Sequence, residues 1–399
     1  MARVLFCWEL GNGLAYMEGL AMGARVIAKA GHEVQFAARD LTHAERLLGK
    51  HYKYYQAPTH IASAGNPLPT PMTFADVLIN LGYGNPNTVA ARVRAWRNLL
   101  DLVKPDIVRC AHAPAALLAA RGTGMRSVAV GIGFLVPPPV SPLPLLRSWA
   151  KKYSPENMAA REQQVLAGMN QGLDLIGAPR VASIGALYAE ADVRELYTYP
   201  ELDDYGPREG VKYLGNFQPG MGATPVWPDA PGKRIFAYLE VSKDIPQVLQ
   251  ALAAASQPTL VFLPHAPEEL KKLYATGNLR ITEQPLDLLR TAAECDIGVS
   301  HGGHNIVGTF LHAGKPQLCI PSYFPERITS EKVTALGAGL AAPFEPVELK
   351  TRLDKLLQDR AFTEKAQVAA KRIAGFSMQG SLDGAVASVQ ELAKLGPKR

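Results

Sequence analysis

The sequence predicts an α/β protein made of two doubly wound halves, each a parallel sheet covered by helices. Three observations carry this. The chain opens as strand, helix and strand over Arg3 to Ala38, the unit from which parallel sheets are built. A stretch dense in Gly and Pro and without periodicity, GNFQPGMGATPVWPDAPG at 215–232, reads as a linker. Beyond it the alternation restarts with a strand from Arg234 to Leu239. A chain of 399 residues, 47% hydrophobic and 20% charged, is long and apolar enough to give each half its own core.

In order, Arg3 to Trp8 is a strand, Glu9 to Gly13 a glycine-containing loop, Leu14 to Ala30 a helix that Gly31-His32 ends, and Glu33 to Ala38 a second strand. Between Pro58 and Asn87 the chain is rich in Pro, Gly, Asn and aromatic residues, with Phe74 to Leu81 the best short helix inside it. Such a loop suits contacts to a small molecule and equally a plain surface connection. Thr88 to Val103 has helical period, Asp106 to Cys110 reads as a strand, Ala113 to Arg121 as a helix and Arg126 to Val130 as a strand. The following GIGFLVPPPVSPLPLL holds three consecutive prolines, which preclude helix or central strand. That stiff apolar loop fits a cleft lining or a rigid crossover. Pro155 to Gly172 is helical, and a strand-like pair is expected around Val181 to Tyr199. In the second half, a helix begins near Ile245, and strands are expected at Thr259 to Leu263 and Leu279 to Thr282.

The stretch from Cys295 to Pro321, CDIGVSHGGHNIVGTFLHAGKPQLCIP, then gives a buried strand, a glycine turn, a helix from His304 to His312 and another strand. Gly302 and Gly303 allow unusual dihedrals and close approach of a ligand to the backbone. The unpaired N–H groups of a helix start, with the positive end of its dipole, attract an anion, and a diphosphate fits them. His301 and Asn305 add side-chain donors on the same side. The alternative is a strand-to-helix turn whose N–H groups are capped by the protein itself.

The net charge of +6 comes from scattered basic residues with no basic stripe or aromatic-rich binding pattern, so nucleic acid is not expected as a partner and a small acidic ligand is. The four cysteines, Cys7, Cys110, Cys295 and Cys319, lack metal or redox spacing and read as buried thiols. No segment reaches transmembrane length and no leader pattern opens the chain, from which a cytoplasmic protein is expected.

The run His301-Gly302-Gly303-His304-Asn305, followed by Gly314-Lys315-Pro316 and Pro321, resembles the donor-binding segment of nucleotide-sugar-dependent glycosyltransferases of the GT-B fold, and is similar to bacterial relatives of the macrolide, flavonoid and plant secondary-metabolite glucosyltransferases. Weaker matches run from Trp8-Glu9-Leu10-Gly11 through His112-Ala113-Pro114 to Gly337-Ala338-Gly339. The resemblance implies two Rossmann-like domains facing each other across a cleft. On this plan 1–214 binds the acceptor, 215–232 links, 233–378 binds the nucleotide sugar, and 379–399 is a helix crossing back onto the first domain. It implies inverting transfer of a sugar from a uridine or thymidine diphosphate donor to a small hydrophobic acceptor, with no cofactor beyond the donor substrate and no metal; a homodimer stays open. His301, Gly302, Gly303, His304, Asn305 and Ser242 are then expected at the diphosphate.

The chain departs from the family pattern in several places. Counting back from Gly31-His32 puts Tyr16 where relatives carry the histidine base, and Ala111 where they carry its aspartate partner. A phenol with a pKa near about 10 is a poor base at neutral pH. Glu9, His112 and Glu18 are the candidate substitutes. At the donor end Thr309 replaces a ribose-binding Glu, and Glu326 stands one position from the usual sugar contact. A Glu240-Val241-Ser242 run replaces a small Gly-Ser loop, with Lys243 following. The missing dyad keeps a second reading open, in which the protein binds a nucleotide sugar as the auxiliary partner of an active transferase; an epimerase is a third, without residues that point to it.

Overall fold

The computed structural model describes the whole chain except residues 12–13, 60–66, 148, 151–152, 217–221, 276 and 399, and of residues 14–16 it describes the backbone alone. It divides into two compact units, Met1–Leu214 with Gln379–Arg399, and Gly215–Met378. All strand pairs described below are parallel.

In the first unit the strands are β1 Arg3–Trp8, β2 Glu33–Ala38, β3 Lys53–Gln56, β4 Ile107–Ala111, β5 Arg126–Gly131, β6 Val193–Leu196 and β7 Lys212–Tyr213. They form a sheet in the order β3-β2-β1-β4-β5-β6-β7. The apolar runs that marked β1 and β4 are buried along nearly their whole length because helices cover both faces. Between β1 and β4 the order reverses, so the carboxyl ends of those two strands form a topological switch point. The helix Phe74–Asn80 is held by a capping box between Thr73 and Asp76. One expectation is corrected. The region around Val181 to Tyr199 is not a pair of strands, because Ile184–Ala189 is a helix whose Ser183 Oγ accepts the Ala186 N–H at 3.0 Å. Small residues in IGALYA and a Ser cap outweigh the apolar alternation. The closing helix Met378–Leu395 packs in this unit, where Lys212 Nζ donates to the Gly384 carbonyl and to Ser388 Oγ, each at 3.1 Å.

In the second unit the strands are β8 Ile235–Tyr238, β9 Thr259–Phe262, β10 Leu279–Thr282, β11 Ile297–Ser300, β12 Gln317–Cys319 and β13 Gly339–Ala341, ordered β10-β9-β8-β11-β12-β13. Its switch point lies between β8 and β11. A Cβ on Gly298 of β11 would come within 2.5 Å of the Phe310 ring, so only glycine lets the helix His304–His312 lie this close to the sheet. Phe310 there meets Phe236 of β8 with ring centroids 5.9 Å apart. The expected linker is, from Gly222 on, tied to this unit: Ala223 exchanges backbone hydrogen bonds with Pro285 and Asp287, and Trp227 Nε1 donates to Glu294 at 2.9 Å. Among the described residues no helix is long and apolar enough to cross a membrane.

Candidate functional site

The glycine turn sits at the second unit's switch point. Ser300 of β11 is level with Tyr238 of β8 and Cys319 of β12. Gly302 has φ +85°, a conformation that favours glycine, and a Cβ there would meet Ser330 Oγ and come within 2.9 Å of the Glu326 carbonyl. Its N–H turns back to Ser300 Oγ at 3.1 Å. The helix His304–His312 then starts at Gly303 with no side-chain cap, and among the described residues no protein acceptor takes the N–H groups of Gly303, His304 or Asn305. Three such N–H donors and the positive end of the helix dipole are what attracts an anion through the main chain.

His301, expected at the diphosphate, makes ring contacts within the protein. Its Nε2 accepts the Glu240 N–H at 3.0 Å, so Nδ1 carries the proton and faces the Ile320 carbonyl at 3.4 Å. The ring thus staples the ends of β8, β11 and β12 together instead of presenting a free donor to a diphosphate. Other expected contacts are also engaged internally. Thr309, which stands where a ribose-binding Glu is expected, is buried and its hydroxyl donates to the Asn305 carbonyl at 2.9 Å. Ser242 Oγ accepts the Asp244 N–H at 3.3 Å. Glu326 Oε2 accepts from Ser322 N at 2.8 Å and Tyr323 N at 3.0 Å, capping the helix Phe324–Ala335. Burial raises the Glu326 pKa against those two hydrogen bonds. Pro325 and Glu326 in the first turn are a helix-start signal in the sequence. Asn305 is exposed beside the turn, while both ring nitrogens of His304 are shielded and lack a partner, and burial lowers its pKa to about 4.

One contact had no sequence signal. Asn216 Nδ2 donates to the His304 carbonyl at 3.1 Å, and a Cβ on Gly308 would collide with that amide. Asn216 therefore braces the first turn of the helix from the side.

At the first unit's switch point the corresponding helix start is filled. Glu9, at the end of β1 and fully buried, accepts from Tyr83 Oη at 2.6 Å and Arg92 at 3.2 Å through Oε1, and from the Ala115 N–H at 2.9 Å through Oε2. Ala115 lies in the first turn of the helix Pro114–Ala120, so Glu9 caps that helix with its own carboxylate. Burial raises its pKa while Arg92, Tyr83 and Ala115 oppose the shift. A base must reach its substrate, and this carboxylate, expected as a candidate base, is enclosed by three protein donors. His112, after β4, adopts φ +49° and is 6% exposed, with both ring nitrogens unpartnered. Burial, then the Arg39 charge, lowers its pKa to about 3. Such an imidazole stays neutral and is too weak to deprotonate an alcohol. Tyr16 falls in the helix Leu14–Lys29, but its side chain lies outside the described residues. Glu18 is exposed.

In three dimensions the chain is similar to CalG4, the calicheamicin glycosyltransferase, with a TM-score of 0.73 at 19% identity and 98% of each chain covered. It is similar also to the Streptomyces sp. SF2575 glycosyltransferase SsfS6 complexed with thymidine diphosphate, with a TM-score of 0.62 at 18% identity, covering 98% of this chain and 100% of that one. At these identities the likeness is one of fold, and the chain has the GT-B fold. Residues 247–377 match the model of the Erythromycin biosynthesis protein CIII-like, C-terminal domain. An 85-residue stretch is 32% identical to the NDP-glycosyltransferase YjiC of Bacillus subtilis (strain 168), spanning 21% of this chain and about a fifth, 21%, of that relative's length.

Proposed function

We propose that the protein is a glycosyltransferase that moves a sugar, with inversion, from a nucleoside diphosphate sugar to a small hydrophobic acceptor. The observation that carries this is the contrast between the two switch points. The first unit fills its helix start with Glu9, whereas the second leaves the N–H groups of Gly303, His304 and Asn305 without a protein partner among the described residues and builds a staple and a brace around them. A diphosphate matches that demand, and the thymidine diphosphate bound by the fold relative SsfS6 supports a thymidine or uridine donor.

In this mechanism the acceptor oxygen attacks the anomeric carbon on the face opposite the diphosphate. The new carbon–oxygen bond forms as the bond to the phosphate oxygen breaks, and the electron pair leaves with the diphosphate. The helix start stabilises the charge that develops there. Glu9 is enclosed and His112 is a weak base, so the acceptor's proton is lost to solvent. Positioning can sustain such a reaction: it is worth effective molarities of about 10⁵ to 10⁸ M, whereas general base catalysis contributes about 10² to 10⁴ in rate. A cytoplasmic location belongs to the same reading and accords with four buried, unpaired cysteines.

The engagement of Glu9 and the low basicity of His112 favour a second reading, an auxiliary protein that binds the nucleotide sugar without turnover. Incubation with thymidine and uridine diphosphate sugars, with and without phenolic acceptors, separates the two. A transferase releases nucleoside diphosphate only when acceptor is present; binding with no release by any pair supports the auxiliary reading.

A further inference from the structure

At the amino ends of its strands, away from the switch point, the first unit has an open cavity of about 540 Å³. Ile107, which opens β4, lies in its wall with Met125, Leu100 of the helix Pro86–Val103 and Leu392 of the closing helix. The wall is largely apolar. Two leucines stand at its edge. Leu102 is 68% exposed and lies in sequence between Asp101 and Lys104, both of which line the cavity. Leu395 is 64% exposed and precedes Gly396, which lines it too. A lone exposed leucine is ordinary on a protein surface. Two at the edge of an apolar cavity make a patch, and patches of this kind mark docking surfaces.

The charged side chains of the cavity wall decide what docks there. Asp106 Oδ2 accepts the Arg3 N–H at 2.7 Å, and Arg126 pairs with Asp192 at 2.8 Å. Asp101 and Lys104 are exposed, and among the described residues neither side chain has an ion-pair or hydrogen-bond partner. One anion and one cation are thus left over, with an apolar knob between them. Their complement is the same set reversed: a cation for Asp101, an anion for Lys104, an apolar side chain for the cavity and a cavity for Leu102. A nucleic acid or an anionic lipid surface supplies one sign only. A second copy of this chain supplies all four. A two-fold axis sets a patch against itself, so that residue i of one copy meets j of the other and j meets i.

We propose that this end of the first unit is a homodimer interface, in which Leu102 of each copy enters the cavity of the other while Asp101 of each copy faces Lys104 of the other. The proposal stands apart from the transferase reading. It uses the end of the sheet opposite the switch point and leaves the carboxyl ends of the strands free in both copies.

The test is sedimentation velocity of the full chain. The native protein is expected to run as a dimer at about 100 µM and to dissociate on dilution, with a Kd on the order of 10 µM for a small interface. Leu102→Asp raises that Kd at least about tenfold. Asp101→Lys and Lys104→Asp each do the same by setting like charges face to face. Lys104 has φ +51°, which Asp tolerates, and all three positions are exposed, so the variants are expected to fold; thermal melts check this. The decisive sample is an equimolar mixture of Asp101→Lys and Lys104→Asp chains. Every facing pair in it is again opposite in sign, and it forms a heterodimer near the native affinity. A native chain that is monomeric at the highest concentration overturns the proposal, and saturable binding of 1-anilinonaphthalene-8-sulfonate by that monomer gives the cavity to a small amphiphile instead. A dimer undisturbed by Leu102→Asp or by the single reversals overturns it, and so does a mixture of the two reversals that stays monomeric.

Discussion

The Glu240 N–H donates to His301 Nε2 at 3.0 Å, so the histidine of the glycine turn faces its own sheet. The side chain sets the turn's shape while the main chain is left to meet a ligand. His301→Ala is therefore expected to weaken thymidine diphosphate binding by about tenfold through a loosened turn and to reduce stability by about 0.5–1.5 kcal/mol, the net worth of the part-buried hydrogen bond it removes. His301→Gln, whose side-chain oxygen is able to accept the same N–H, recovers part of both. Calorimetric titration and urea unfolding read the two effects; unchanged affinity in a folded His301→Ala variant removes the staple from the account.

Glu9 joins the end of β1 to the loop that carries Tyr83, to Arg92 and to the helix after β4. Removing one partner of a buried ion pair costs about 3–5 kcal/mol because the other charge stays buried and uncompensated. Glu9→Ala is expected to lose that much in urea unfolding. Adding Arg92→Met to Glu9→Ala recovers a large share, and a double variant no more stable than the single one speaks against the pairing. If Glu9 were instead the base, Glu9→Gln would abolish turnover while leaving stability near native.

His112 gives a pH prediction with a definite sign. Its folded-state pKa of about 3 lies below the usual value near about 6.5, so between those pH values the unfolded chain binds the proton and the folded chain does not. Stability falls as pH drops through that window, by about 2 kcal/mol at pH 5 relative to pH 7 from this residue, and His304, lowered to about 4, adds in the same direction. Unfolding at pH 7 and pH 5 in native and His112→Phe proteins checks it. The variant must show the smaller loss.

Gly308 faces the Asn216 amide with no room for a methyl group. Gly308→Ala, which raises helix propensity, is nonetheless expected to destabilise by about 1–3 kcal/mol through overpacking and to weaken thymidine diphosphate binding as the first turn is displaced. Asn216→Ala in the same chain relieves the clash. A Gly308→Ala protein more stable than native shows that the brace is absent.

Much of this was legible in the sequence because it is local. Apolar runs gave β1, β4 and β11, glycines gave the turn, and periodicity gave the helices 88–103 and 304–312. What escaped is long-range. Glu9 meets partners 74, 83 and 106 residues away, and no spacing rule links them. The same holds for His301, whose two ring contacts come from strands that only the sheet order makes neighbours. Thr309 and Glu326, expected at the ribose and the sugar, also back-bond to a helix carbonyl and cap a helix, contacts that show only in three dimensions. At 184–189 a Ser cap on a short run of small residues decided for helix where alternation alone suggested strand.

The most direct measurement is a TROSY titration of the ¹⁵N-labelled full chain with thymidine diphosphate, with thymidine as the control lacking phosphates. The account predicts large shifts at the Gly303, His304 and Asn305 amides with the diphosphate and little change there with the nucleoside. Saturable binding that leaves those three amides where they were, or no binding at all, contradicts it.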